Sequence, residues 1–215
     1  MEPQISSYLV LLRHGKSEWN ALGLWTGWQN PPLNEEGKQE AEKSAQSIQD
    51  IHIDFIFQSD LKRVQETVTI VKKALKMEST STTTSKDLRE RGYGIYEGKN
   101  KWEIQKQVGE EEFQKIRRSW DHAVPEGETL KDVYNRVVPF YESQVIPALV
   151  QHKNVLVAAS GNSLRALVKY LENIPDEQIA SLEIGTGEIY VYGLDANGKI
   201  VSKELRSSNA QKGKV

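Results

Sequence analysis

Short apolar runs recur along this chain, and most are followed by a longer stretch whose apolar residues fall at helical spacing. Tyr8-Leu9-Val10-Leu11-Leu12 has no polar alternation, so it reads as a strand covered on both faces. Asp54 to Phe57 and Asn154 to Ala159 read the same way, and Glu188 to Leu194 reads as the last strand. A helix opens at Asn34, whose side chain can cap it, and carries Ala41, Ala45 and Ile48 on one face. Asp60 is expected to cap the next helix, whose apolar residues are Leu61, Val64, Val68, Val71 and Leu75. The Ser/Thr run over residues 79–85 predicts an edge strand or a loop. Residues 100–120 predict helix with a break near Gly109, and 129–151 a long helix bent or interrupted at Pro139 and Pro147. A further helix runs from Asn162 to about Glu172. The polar tail from about residue 203 is expected to be mobile.

Strands alternating with helices require crossover connections. The expected fold is therefore α/β, a three-layer α/β/α arrangement with a mainly parallel central sheet. No internal repeat and no Pro/Gly-rich linker divides the chain, so residues 1–215 are expected to form a single domain. Sites in such folds lie beyond the carboxyl ends of the strands. Two turns qualify: Arg13-His14-Gly15 and Ser160-Gly161-Asn162.

The 215 residues are enough to bury a sizeable core. The chain has 28 Lys and Arg against 30 Asp and Glu, a formal net charge of −2. That balance gives no electrostatic reason to expect nucleic acid or an anionic membrane as a partner. A phosphorylated ligand would need a local cluster of arginines. With no cysteine, disulfides, thiol catalysis and thiolate zinc sites are excluded. His14, His52, His122 and His152 form no HxH or HxxxH pair, so no metal is expected. Near the N-terminus no basic segment leads into a long apolar stretch, so neither a signal peptide nor a membrane span is expected, and the setting is expected to be cytoplasmic.

A lone Arg-His-Gly is weak evidence of function, because a surface histidine at a strand end would look the same. Ser17, Asn20, Thr26, Gly15 and Gly27 strengthen it by adding hydroxyl, amide and backbone donors suited to a phosphate or carboxylate. At this point the sequence resembles the cofactor-dependent phosphoglycerate mutases of the histidine phosphatase superfamily. The resemblance is carried by LVLLRHGKSEWN (9–20), LWTGWQNPPLNEEGKQEA (24–41), FQSDLKR (57–63), ERGYGIYEGKNK (90–101), IRRSW (116–120), GETLKDVYNRVVPFYE (127–142) and NVLVAASGNSLRALVKYLE (154–172). It covers nearly the whole chain to about Leu194.

The resemblance implies a histidine phosphatase fold and interconversion of 3-phosphoglycerate and 2-phosphoglycerate, primed by 2,3-bisphosphoglycerate. It implies that His14 carries the phosphoryl group, since a neutral imidazole is a competent nucleophile near pH 7. Arg13 and Arg63 would clamp the phosphoryl oxygens, and Glu90 would serve as general acid and base. Tyr93, Lys101, Arg117 and Arg118 would grip the substrate's carboxylate and second phosphate. Ser17, Asn20, Thr26, Gly27, Gly161 and Asn162 would complete the binding site. Read without the resemblance, Glu90 is a solvated charge between two arginines and Arg117-Arg118 a solvated helix face.

The chain departs from the family at Ser160, where the family has a second histidine that helps bind the transferring group. A hydroxyl donates one hydrogen bond but no positive charge, so impaired transfer is expected. Gly92 stands where a bulkier residue is more usual, and is expected to loosen the loop carrying Glu90. The chain resembles the short-form members, and is expected to be a monomer or homodimer. Two other readings remain: a phosphatase of the same superfamily, or a weakened protein that binds phosphorylated ligands. A serine nucleophile at Ser160 is disfavoured, because both glycines of a G-x-S-x-G elbow are missing.

Overall fold

A computed structural model describes residues 4–207 and Asn209. Its centre is a six-stranded sheet in the order β3-β2-β4-β1-β5-β6. The strands are β1 (Ser7–Arg13), β2 (Phe55–Ser59), β3 (Ser81–Ser85), β4 (Val155–Ala159), β5 (Ile189–Leu194) and β6 (Ile200–Ser207). β1, β2, β3 and β4 run parallel, while β5 lies antiparallel to both its neighbours. The helices are α1 (Glu18–Ala21), α2 (Glu35–Ser47), α3 (Lys62–Ala74), α4 (Lys101–Val108), α5 (Glu110–Arg118), α6 (Leu130–Phe140), α7 (Ile146–Leu149) and α8 (Gly161–Glu172).

The three-layer arrangement follows from the two faces of the buried strands. Side chains alternate across the sheet, so Leu9 and Leu11 of β1 face one way and Val10 and Leu12 the other. Leu9, Leu11, Val155 and Val157 pack with Val133 and Val137 of α6 and Leu164 and Leu167 of α8. Val10, Leu12, Leu156 and Ala158 pack with Ala45 of α2 and Val64, Val68 and Val71 of α3. All four β1 residues are sealed from solvent, each stabilising the fold by roughly 1.5–3 kcal/mol. A third cluster of Trp25, Tyr93, Ile104, Phe113, Ile116 and Val124 packs the segments around α4 and α5.

Local signals set most element boundaries. The Asn34 side chain accepts a hydrogen bond from the Gly37 N–H, capping α2. Thr129 and Asp132 form a capping box at the start of α6. Pro139 lies inside α6, which passes into a π-helical turn at Tyr141–Val145 before α7 begins. Gly109, at φ +83°, separates α4 from α5.

Three expectations are corrected. Asp60 does not cap α3; the helix begins at Lys62 with no side-chain cap, and both Asp60 oxygens instead accept hydrogen bonds from Arg89, at 2.8 and 2.6 Å. A forked arginine on two carboxylate oxygens outcompetes a single capping bond. β5 is not the last strand, and the tail is not free from residue 203: β6 continues to Ser207 as the sheet edge. Of the remaining tail only Asn209 is described, and the rest lies outside the described residues.

Register sets the site. β1 and β4 are neighbours, with Arg13 opposite Ala159, so their carboxyl ends finish level. The two turns singled out by sequence therefore meet, and the His14 N–H donates to the Ala159 carbonyl at 3.1 Å.

Candidate active site

His14 leaves β1 directly into the interior and is 2% exposed. Its Nδ1 lies 2.6 Å from the Gly15 carbonyl, and its Nε2 lies 3.1 Å from Nε of Arg63. A carbonyl can only accept and a guanidinium can only donate, so Nδ1 carries the proton and Nε2 offers its lone pair. Burial, then the charges of Arg63 and Arg13, hold the imidazole well below its usual pKa. The ring is therefore neutral at pH 7 and fixed in one tautomer. The turn is tight: a Cβ on Gly15 would lie 2.1 Å from the Gly37 carbonyl oxygen at the start of α2.

Arg63 projects from the first turn of α3. It donates to the Gln29 carbonyl at 2.9 Å and the Gly27 carbonyl at 3.0 Å, and burial lowers its pKa to about 10, still charged at pH 7. Gly27 has φ +49°, and a Cβ there would lie 1.9 Å from an oxygen of Glu97. Arg13 donates to the Ile184 carbonyl at 2.5 Å, while its Nε is buried without a hydrogen-bond partner.

Glu90 is 8% exposed and follows the short helical turn at Lys86–Leu88. One carboxylate oxygen accepts from the Arg91 N–H at 2.7 Å and from the Asn162 N–H at 3.1 Å. Asn162, in the first turn of α8, donates to the Tyr93 hydroxyl at 2.9 Å and accepts from Arg165 at 2.8 Å. Arg165 also donates to the carbonyls of Arg118 and Ile179, at 3.0 and 2.8 Å. The far wall of the site is thus one connected network.

One pocket is lined by Arg13, His14, Asn20, Thr26, Gly27, Arg63, Glu90, Tyr93, Lys101, Arg117, Arg118, Gly161 and Asn162, all singled out from sequence. Ser17 and Ser160 are not on its wall. Ser17 is fully buried and caps α1 through a reciprocal box with Asn20. Ser160 is also fully buried; its Oγ accepts from Arg63 Nη2 at 3.5 Å, and it makes no cap hydrogen bond to α8. Sequence reasoning missed Trp25, Arg165, Glu183 and Ile184 on the wall. Arg165 reads as an ordinary helix charge, and nothing near Glu183 signals a strand-end turn.

Electrostatically the wall sets six cations, Arg13, Arg63, Lys101, Arg117, Arg118 and Arg165, against two carboxylates, Glu90 and Glu183. Glu183 forms an ion pair with Arg118. Burial, followed by the charges of Arg117 and Arg13, lowers the Lys101 ammonium to about 7. A chain with a formal charge of −2 thus concentrates positive charge at one concavity, which suits a multiply charged anion. Among the described residues, no three His, Asp or Glu side chains are grouped to hold a metal ion.

A family model described as "Histidine phosphatase superfamily (branch 1)" matches residues 9–205. Phosphoglycerate mutase of Schizosaccharomyces pombe is 45% identical over 199 residues, spanning 92% of this chain and 94% of that protein. The 2,3-bisphosphoglycerate-dependent phosphoglycerate mutase of Parvibaculum lavamentivorans is 42% identical over 92% of this chain and 95% of its own length. Among solved structures, Bacillus stearothermophilus YhfR superposes with a TM-score of 0.79 at 26% identity, covering 90% of this chain and 94% of that one. A mycobacterial glucosyl-3-phosphoglycerate phosphatase solved with VO3 has a TM-score of 0.79 at 23% identity, covering 94% of this chain and 99% of that one, a likeness of fold.

Proposed function

The chain belongs to the histidine phosphatase superfamily and, within it, to the phosphoglycerate mutase family, and on that premise we propose that it interconverts 3-phosphoglycerate and 2-phosphoglycerate through a phosphohistidine at His14. One observation carries the reading: the His14 Nε2 lone pair stands beside Arg63, in a pocket shared with Arg13 and Glu90.

The residues fit 2,3-bisphosphoglycerate as primer. Two phosphates and a carboxylate need an excess of cations, which the wall has, and Arg13 Nε is a buried donor with no partner of its own. When bound, that molecule supplies the phosphoryl group that charges His14. Arg13 and Arg63 would hold the phosphoryl end; Tyr93, Lys101, Arg117 and Arg118 the remaining anionic groups, with Asn20, Thr26, Gly27, Gly161 and Asn162 shaping the space between. Ser17 acts only through Asn20.

His14 Nε2 bonds to phosphorus as the ester P–O bond breaks, and Arg63 Nε turns its hydrogen bond from the nitrogen to a phosphoryl oxygen. Arg13 and Arg63 stabilise the equatorial oxygens, the main catalytic contribution in phosphoryl transfer. Glu90, as the acid, gives its proton to the departing oxygen. In the return step Glu90, as carboxylate, removes a proton from the accepting hydroxyl. That oxygen bonds to phosphorus and the N–P bond breaks. Which hydroxyl accepts, at C2 or C3, decides which isomer leaves. The reading carries a cytoplasmic setting with it.

Ser160 favours a slower variant of this chemistry. Its hydroxyl supplies no charge where the family has a histidine, and loss of one such donor costs about 10²–10³ in rate. Incubation with 2,3-bisphosphoglycerate and 3-phosphoglycerate tests the proposal by following 2-phosphoglycerate, free phosphate and acid-labile phosphoprotein. 2-Phosphoglycerate without phosphate release supports the mutase; phosphate alone makes the protein a phosphatase; neither, with turnover restored by Ser160→His, makes it a weakened phospholigand-binding protein.

A further inference from the structure

Glu90 is held in place by its backbone. Its carbonyl accepts from Nη2 of Arg136 at 3.0 Å and from Nε1 of Trp28 at 2.8 Å. Two residues on, the Gly92 N–H donates to Oε2 of Glu128 at 2.8 Å, and the Glu128 N–H returns a bond to the Gly92 carbonyl at 2.8 Å. Glu128 and Arg136 then close on each other: Arg136 Nε and Nη2 donate to the two Glu128 oxygens at 2.8 and 2.9 Å. Both side chains are 18% exposed. Arg136 sits on α6, and Glu128 immediately before the Thr129 cap of the same helix.

The Gly92 backbone, expected from sequence to loosen this loop, is thus held by Glu128 at both its N–H and its carbonyl. Its φ is not in the left-handed region, and a Cβ there would be in ordinary contact, 3.6 Å from Trp28 and 3.7 Å from Glu128. Gly92 supplies flexibility that the Glu128–Arg136 pair removes. One forked ion pair bridges the backbone on either side of Arg91, so the Glu90 side chain starts from a fixed Cα. General acid catalysis depends on that placement, because the proton must reach a leaving oxygen within hydrogen-bond distance.

We propose that Glu128 and Arg136 are positioning residues for Glu90, an inference that rests on the reading of Glu90 as the proton donor. Neither lines the pocket itself; Arg136 reaches the wall only through the backbone carbonyl of Glu90. Their role is confined to steps that need the proton.

The test compares two phosphoryl donors in single-turnover labelling of His14, for wild type, Glu128→Gln and Arg136→Met. With 2,3-bisphosphoglycerate the departing alkoxide needs a proton. With p-nitrophenyl phosphate the aryl oxide departs without one. The proposal expects labelling from 2,3-bisphosphoglycerate to fall about 10–10²-fold in the variants, and labelling from p-nitrophenyl phosphate to stay near wild type. Equal losses with both donors, or no loss with either, would overturn it. Amide exchange at Gly92 gives a readout that needs no turnover: faster exchange in Glu128→Gln, with an unchanged unfolding midpoint, is expected, and unchanged exchange overturns the clamp. If wild type takes label from neither donor, the mutase reading fails, and Gly92 exchange still decides whether the clamp exists.

Discussion

Raising the pH should weaken phosphoglycerate binding through Lys101 before any other pocket cation loses charge. Lys101 begins α4 and lies on the pocket wall, where burial and the nearby Arg117 and Arg13 bring its pKa to about 7 from an ordinary 10.5. A ligand that requires the ammonium binds in proportion to the charged fraction. From a pKa of about 7, its Kd should rise about fivefold from pH 7 to pH 8 and about fiftyfold from pH 7 to pH 9. The ligand adds little to this slope above pH 7, because a phosphate ester's second pKa lies near 6. Binding should also draw close to one proton from solution at pH 8. Calorimetric titration of 3-phosphoglycerate into a His14→Ala protein, in buffers of different ionisation enthalpy, measures both quantities without turnover. Lys101→Gln should flatten the profile. A Kd unchanged from pH 7 to 9, or a slope that survives Lys101→Gln, would refute the reasoning. The unliganded fold shows the opposite sense. Between pH about 7 and 10.5 the unfolded chain holds the extra proton, so stability should increase with pH across that window.

Three further outcomes are expected. Ser160→His should raise the rate of phosphoryl transfer by about 10²-fold, read as acid-labile label formed per second. Glu183→Gln removes the carboxylate that competes for Arg118, so 3-phosphoglycerate should bind up to about fivefold more tightly by calorimetry at fixed pH. Gly15→Ala sets a Cβ 2.1 Å from a backbone oxygen that cannot yield, and should lower stability by about 1–3 kcal/mol or more in thermal or urea unfolding.

The sheet was legible because its central strands are buried on both faces and carry unbroken apolar runs. β6 was not: only one of its sides is paired, and the charges Lys203, Glu204 and Arg206 read in sequence as a solvated tail, although Arg206 in fact pairs with Asp50. The site was legible where side chains follow a strand end directly, as His14 does. The opposite wall was not, because its order comes from a network rather than a motif. Arg165 acts through Asn162 and the carbonyls of Arg118 and Ile179, partners that no local pattern predicts. Asp60 failed as a cap because Arg89, far along the chain, offered two stronger bonds. Glu128 and Arg136 have helical neighbours in sequence, yet what they hold is the backbone of residues 90–92.

The central claim is that His14 Nε2 accepts the phosphoryl group. Brief incubation with radiolabelled 2,3-bisphosphoglycerate, quenching in alkali and peptide mapping tests it most directly. The account predicts an acid-labile, alkali-stable label confined to the peptide carrying Arg13-His14-Gly15, absent in His14→Ala and discharged by added 3-phosphoglycerate. Label on another residue, or full turnover by His14→Ala, would contradict it.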